Sequence, residues 1–459
     1  MKNPFARIHL LSGLTWFCAA LTVAAAPGSG QSQTAGLKDA TRVSVKVTNP
    51  ANFSRENETV ELDLKAVAAG LRLDPAMGKF AVMDAGSSNI LDSQVYASES
   101  NSAPDKLLFQ VDLAPHETRT YYVLDASTLT DVPTPMVKTF ARYVPERFDD
   151  FAWESDRIAH RLFGKALETW QEEPLTSSGV DVWIKRTRNL IINETYRTGV
   201  YFDANGVSQD DYRVGKTRGC GGLGIWDGQK LHVSANWRNW KLITTGPIRS
   251  EFELTYDAWD AGNGRMVSET KRISIDAGAN LSRVESTFSS DDKSSLQIGV
   301  GLAERPGENV IQPVVESKTI DTAQLMIDID NWQTSTAKGL VVQNQDEGWM
   351  AYWQPEDFNK GTIAVAIVLP KGSVQTFTND NPNLPAGKLA PPTHTVTEGQ
   401  PAVRNLLAIA PAEIGKPFVY YLGAGWDRSG DFPNAAAWNK YVSRFAERRD
   451  QPLQITIGN

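Results

Sequence analysis

The chain has 459 residues, with 46 basic and 54 acidic side chains and a net charge of −8 at neutral pH. An acidic surplus repels a phosphate backbone on average, which argues against a nucleic-acid partner while leaving room for a local basic pocket. A chain this long can bury an adequate core without disulfides, and of its two cysteines only Cys220 lies beyond the first 26 residues.

Residues 1–26 read as a signal peptide. Lys2 and Arg7 are followed by an apolar run from Leu10 to Val23 and by Ala24-Ala25-Ala26, whose small side chains suit signal peptidase. The run is shorter than the roughly 20 apolar residues of a membrane span, and no later segment qualifies. Export to the periplasm or medium is therefore expected. Cleavage after Ala26 removes Lys2 and Arg7, leaving 44 basic and 54 acidic residues and a net charge of −10.

Gln31 to Lys38 is a polar leader, and strands begin after it. Arg42 to Thr48 and Thr59 to Lys65 alternate polar and apolar residues with period two, as half-buried strands do. Leu107 to Leu113 and Thr118 to Leu124 complete a small N-terminal β-sandwich domain over residues 40–125. The proline- and threonine-rich stretch Ser127 to Pro135 reads as a linker.

Residues 140–459 form a second, larger β-domain on this reading. Strands are expected at Val180–Lys185, Ile248–Trp259, Lys271–Ile275, Leu281–Ser289 and Leu296–Leu302. Others follow at Ala323–Ile329, Gly339–Val342, Gly348–Trp353, Thr362–Leu369 and Arg404–Ala410. Many short strands without βαβ alternation indicate a sandwich rather than a doubly wound sheet. Asp431 to Arg448 reads as a docked helix: Trp438, Tyr441, Val442 and Phe445 recur at helical spacing, and Arg444, Arg448 and Arg449 sit where cations complement the helix dipole. Ile158 to Leu167 is ambiguous, because Gly164 breaks its helical period.

Several chemistries lack their signatures. His116, His160, His232 and His394 are scattered without ligand spacing, so no metal is expected. No phosphate-binding glycine loop or Gly-x-Ser-x-Gly elbow occurs, so no cofactor is expected and serine esterase chemistry is disfavoured. Cys220 reads as a packed thiol rather than a nucleophile.

Polar side chains are densest between Arg147 and Arg218. One block runs from Asp149 to Arg161 and contains Trp153, Glu154, Asp156, Arg157 and His160. A second runs from Tyr212 through Lys216 to Arg218. Meeting in one cleft, the two would suit an anionic sugar. Trp153 would stack on the pyranose, and Arg157, Lys216 and Arg218 would bind a uronate carboxylate. Tyr212 or His160 would then move the C5 proton in a β-elimination. A glycoside hydrolase using Glu154 with Asp156, or Asp210 with Asp211, is the alternative. A glycan-binding protein without catalysis is the third reading. Against all three, Arg157 and Arg161 could pair with Asp150, Glu154 or Asp156 in a structural network, His160 could be a hydrogen-bonded core residue and Tyr212 an ordinary strand tyrosine.

The stretch Asp149-Asp150-Phe151-Ala152-Trp153-Glu154-Ser155-Asp156-Arg157-Ile158-Ala159 resembles a hallmark of the bacterial family called domain of unknown function 4861. Asn49-Pro50 with Arg55 to Leu62, Asp210 to Gly215, and Tyr421 to Trp426 resemble further segments of that family. The resemblance implies a small N-terminal β-domain and a large mutarotase-like β-supersandwich, in proteins associated with uronate-polysaccharide degradation. One departure bears on chemistry: family members often carry His after the tyrosine matching Tyr201, whereas Phe202 cannot transfer protons.

Overall fold

The computed structural model describes residues 41–99, 102–171, 174–199, 207–210, 212–305, 309–314, 339–355, 361–380 and 404–458. The leader, the strand expected at Ala323–Ile329, and Tyr201, Phe202, Asp203 and Asp211 lie outside these residues. Residues 41–459 form one compact unit. The fold is mainly β, with several antiparallel sheets and a C-terminal helix, as the periodicity indicates.

The N-terminal strands are β1 (Arg42–Thr48), β2 (Arg55–Asp63), β3 (Phe80–Asp84), β4 (Ile90–Leu91), β5 (Ser93–Tyr96), β6 (Lys106–Leu113) and β7 (Thr118–Asp125). Val43, Val45 and Val47 of β1 point into a shared core with Val60, Leu107, Phe109 and Val123, while the intervening residues face outward. The strand expected over Thr59 to Lys65 stops at Asp63. The Asp63 carboxylate accepts from the backbone N–H groups of Lys65 and Ala66, and so caps helix α1 (Leu64–Leu71). Leu64, Val67, Ala68 and Leu71 then bury one helical face.

The next strands are β8 (Thr139–Val144), β9 (Asp150–Ser155), β10 (Ala159–Leu162), β11 (Asp181–Lys185) and β12 (Ser208–Asp210), forming a sheet in the order β12-β11-β10-β9-β8. Helix α2 (Ile192–Thr198) covers one face of it, through the apolar cluster of Ala152, Trp183, Ile192 and Tyr196. The ambiguous Ile158–Leu167 segment resolves into β10 and a short 3-10 turn. Gly164 sits at a close approach, where an added Cβ would lie 1.9 Å from the Asp149 carbonyl oxygen.

The chain continues through β13 (Cys220–Trp226), β14 (Leu231–His232), β15 (Asn239–Thr244), β16 (Arg249–Asp260), β17 (Met266–Asp276), β18 (Leu281–Ser289) and β19 (Leu296–Glu304). It then adds β20 (Asn309–Val314), β21 (Gly339–Asn344), β22 (Trp349–Trp353), β23 (Ile363–Val368), β24 (Thr376–Asn379), β25 (Arg404–Ala412) and β26 (Pro417–Trp426). Nine of these strands make one large sheet, β15-β16-β17-β18-β26-β23-β22-β21-β20, antiparallel except between β20 and β21. Its inner face packs against the β8–β12 sheet and a second five-stranded sheet, β14-β13-β19-β25-β24.

Strand β23 (IAVAIV) is buried throughout, because both faces of the large sheet are covered there. Ile363, Val365 and Ile367 enter the main core, while Ala364, Ala366 and Val368 face helix α3 (Ala435–Asp450). Helix α3 begins where Asn434 accepts from the Ala437 N–H, and Trp438 is fully buried against the sheet. The chain then turns into β27 (Gln454–Gly458), which pairs with β1 so that Ile457 lies opposite Val45. The far end of the sequence thus extends the N-terminal sheet.

Candidate functional site

Strand alternation governs where the Asp149–Arg161 block ends up. Successive side chains of a strand point to opposite faces, so Trp153 and Glu154 diverge although they are neighbours. Trp153, paired across the ladder with His160, faces the main core, whereas Glu154 and Arg161 face α2.

On the core side, the Trp153 indole donates to Ser282 Oγ at 2.9 Å and stacks on His160 with centroids 5.3 Å apart. Trp153 is fully buried and has no surface to offer a sugar. His160 Nδ1 lies 3.1 Å from the Asp181 carbonyl, and burial pushes the imidazole down to about 4, so it is neutral at physiological pH.

On the other side, Glu154 is fully buried in an ion pair with Lys185 at 2.8 Å. Its carboxylate also accepts from the N–H groups of Ile191 and Ile192, at the start of α2. Three partners leave Glu154 no capacity for hydrolysis. Asp156 accepts from the Gly278 N–H at 2.7 Å. Arg161 gathers Asp181 (2.6 Å), Asp210 (3.0 Å) and Asp150 (3.4 Å) around one guanidinium, and Tyr196 donates to Asp150.

The second block does not join the first. Tyr212 is buried beneath the Arg305 guanidinium, 4.4 Å from its ring centroid, and burial raises its hydroxyl well above the ordinary tyrosine range. Arg218 is buried and donates to Ser178 Oγ at 2.9 Å and to the Lys216 carbonyl; burial pulls it down to about 10. The Lys216 side chain is exposed. Trp153, His160, Tyr212, Lys216 and Arg218 thus line no common cleft. The expected assembly is replaced by core packing and internal ion pairs.

A cleft of about 1040 Å³ opens elsewhere, between the start of β2, the turn Asp276–Leu281 and the exposed side of α3. Arg157 lines it, but Asp431 accepts from Arg157 at 2.9 Å and from both Nη groups of Arg188 at 2.9 and 2.6 Å. Arg249 is likewise held, by Asp276 in a bidentate pair and by Glu61 at 2.7 Å.

Helix α3 contributes a different set. Lys440, Arg444 and Arg448 recur at i, i+4, i+8 and line the cleft with Tyr441, Phe445 and Arg449. Arg444 lies 4.5 Å over the Phe53 ring, Arg448 4.4 Å over Phe445, and Arg449 4.3 Å over Tyr421. Arg444 pairs with Glu447 and Arg448 with Glu58, whereas among the described residues no carboxylate pairs with Lys440 or Arg449. Tyr441 Oη accepts from the Asn280 N–H at 3.1 Å, and burial raises its hydroxyl above the ordinary value.

The sequence matches the family described as Domain of unknown function (DUF4861) over residues 47–318 and 305–455. The chain belongs to this family. A relative from Formosa agariphila, described as uncharacterized protein P7, is 31% identical over 422 residues, covering 90% of this chain and 93% of the relative. Among solved structures, an α-mannosidase from Enterococcus faecalis V583 aligns with a TM-score of 0.43 at 9% identity, covering 91% of this chain and 46% of that one. A glycosyl hydrolase family 38 protein from the same species gives 0.43, 9%, 91% and 48%. The chain spans about half the length of these two structures. Of the four stretches that resemble DUF4861, three reach the cleft wall: Arg55 to Glu61, Arg157 and Tyr421.

Two predictions concern the internal charges. Glu154→Ala strands Lys185 without a counter-charge and is expected to cost about 3–5 kcal/mol of stability. The double variant Glu154→Met/Lys185→Met should recover most of that loss in urea unfolding; equal losses in both would remove the pair from the account. For pH, burial pushes Asp150 up to about 6 and raises Asp181 as well, partly offset by Arg161. Carboxyls with raised folded-state values stabilise while protonated, fully below the ordinary value of about 4, and lose that contribution as pH rises through about 6. His160 acts in the opposite sense, its contribution vanishing as pH falls through about 4. Asp181→Asn should therefore flatten the fall in unfolding free energy between pH 4 and pH 7, and an unchanged slope would show Asp181 ionised throughout.

Proposed function

We propose that this chain is an exported carbohydrate-active protein whose α3 cleft binds a uronate-containing oligosaccharide or polysaccharide. One observation carries the reading: Lys440 and Arg449, cations without a carboxylate partner among the described residues, flank the half-buried rings of Tyr421 and Tyr441 in one groove. Aromatic faces stack on pyranose C–H surfaces, while the cations pair with carboxylates. A neutral glycan would leave that charge unanswered.

The geometry favours binding first. Elimination has one specific support, which is Tyr441 rather than Tyr212 or His160. Tyr441 stands in the cleft with its hydroxyl oxygen oriented by the Asn280 N–H; burial outweighs the nearby Arg448 and Arg157 charges and keeps the phenol protonated, which suits it to give a proton rather than take one. In that reaction water takes the C5 proton of the uronate, the C5 electron pair forms the C4=C5 double bond, and the C4–O bond breaks as the Tyr441 hydroxyl gives its proton to the leaving oxygen and is reprotonated from solvent. Hydrolysis by a carboxylate pair has no equivalent support, because Glu58, Glu61, Asp276 and Asp431 are all held by arginines, which leaves Glu56 without a second carboxylate among those lining the cleft.

Affinity electrophoresis separates these readings. Polygalacturonate in the gel should retard the protein, a neutral glucan should not, and Lys440→Gln/Arg449→Gln should weaken retention about tenfold or more. Equal mobility in both gels would remove the binding reading. Ultraviolet absorbance of an unsaturated uronate, abolished by Tyr441→Phe, would establish elimination. Export has its own check: protein recovered outside the cytoplasm should begin at Pro27, and an N-terminus retaining Lys2 would contradict it.

A further inference from the structure

Arg55 is the most poorly satisfied cation in the cleft. Its side chain lines the cavity yet is only 2% exposed. Its Nη2 donates to the Gln451 carbonyl just beyond α3, while Nε and Nη1 have no hydrogen-bond acceptor. Burying a guanidinium is costly, and leaving its donors unmet adds to that cost. The nearest carboxylate, Glu58, lies 3.6 Å from Nη1 and is shared with Arg448 at 3.4 Å. Glu58 and Glu447 together serve three guanidiniums, those of Arg55, Arg444 and Arg448, and the corner holds one positive charge in excess.

The corner is also built to stay in place. Phe53 packs between Arg55 at 5.9 Å and Arg444 at 4.5 Å, and the Gln451 contact ties Arg55 to the turn leading into β27. Lys440 lies eleven residues before Gln451, roughly 16 Å along a helix axis at the usual rise. Arg449, by contrast, lies only two residues before Gln451, so Arg55 and Arg449 share one end of the helix wall and Lys440 stands at the other.

We infer that the Arg55 corner attracts a second anionic group, so that the ligand of this cleft is a chain carrying at least two carboxylates (or sulfates), one answered at the Arg55–Arg449 end and one at Lys440. This rests on the cleft being the anionic-glycan site proposed above. Monomeric uronate would occupy one position only. An oligomer would answer the excess charge of the Arg55 corner and Lys440 at once, and each neutralised charge would steepen the salt dependence of binding.

The test is calorimetric titration of the full chain with galacturonate and with galacturonate oligomers of increasing length, at two salt concentrations. Affinity should rise at least tenfold from monomer to the longer oligomers, with a steeper salt dependence for the latter. Arg55→Gln should abolish most of that gain, and Arg55→Lys, which keeps the charge and a donor for Gln451, should retain most of it; thermal melts of both variants check folding. Should Arg55→Gln fail to fold, the wild-type length series together with Arg55→Lys decides the matter. Wild-type affinity independent of length, a folded Arg55→Gln variant with the full gain, or an Arg55→Lys variant that loses it, overturns the inference while leaving the cleft reading intact. Failure of every anionic saccharide to bind wild-type protein overturns the cleft reading itself. Sulfated oligomers run in parallel distinguish the two anion types.

Discussion

The cleft exists because α3 is held on the outer face of the nine-stranded sheet. Small residues permit the approach: Ala364 and Ala366 of β23 face the helix, and a Cβ on Gly425 would meet the Phe432 ring at 2.5 Å. Trp438 fills the contact and donates from its indole to the Val365 carbonyl at 3.3 Å. Burying one such side chain contributes on the order of 3 kcal/mol, whereas a partly exposed ion pair such as Arg448–Glu58 contributes about 1 kcal/mol or less. The helix is thus seated by aromatic packing. Its cationic side is free to serve as a wall, and the turn into β27 ties that wall to the N-terminal sandwich.

The densest polar stretch of the sequence serves another purpose. The β8–β12 sheet is covered on both faces, by the main core on one side and α2 on the other, so charges on it must satisfy one another. Glu154 and Lys185 do so while anchoring the first turn of α2, and Arg161 does so with three aspartates. Within the sandwich, Glu269 and Lys271 pair beside the Tyr256 ring by the same logic. Replacing such pairs with apolar residues is often neutral for stability, whereas losing one partner is not. Their presence in the sequence therefore signals buried charge as readily as a functional site.

How much of this was legible from the residues follows from what periodicity encodes. Strand patterning placed 13 of the 27 described strands, and the helical spacing of Trp438, Tyr441, Val442 and Phe445 placed α3, because burial on one face leaves its mark on the local sequence. The β2–α1 junction escaped, since Glu61 to Lys65 continues the alternation while Asp63 is already acting as a cap. The two polar blocks are dispersed for a related reason. Trp153, Glu154, Arg157 and His160 are close in sequence, but alternation in a strand divides such neighbours between two faces. The cleft itself joins stretches around residues 55, 157, 280, 421 and 445, and no local pattern announces their meeting. A signal did exist, in the spacing of Lys440, Arg444 and Arg448, but dipole complementarity accounted for the two arginines and Lys440 drew no notice.

The arginines of this cleft differ in the plane in which each is met. Arg249 and Arg157 meet carboxylates edge-on, which uses their N–H donors and cancels their charge. Arg444, Arg448 and Arg449 lie over aromatic rings. A ring beneath a guanidinium attracts the cation through its face, yet it leaves the charge in place and the in-plane N–H groups directed sideways. Stacking thus fixes the orientation of the donors without consuming them; Arg444 and Arg448 then spend donors on Glu447 and Glu58 as well, and Arg449 does not. Arg449 shows this in its simplest form: it stacks on Tyr421, has no carboxylate partner among the described residues, and stands in the last turn of α3, where the helix dipole favours positive charge.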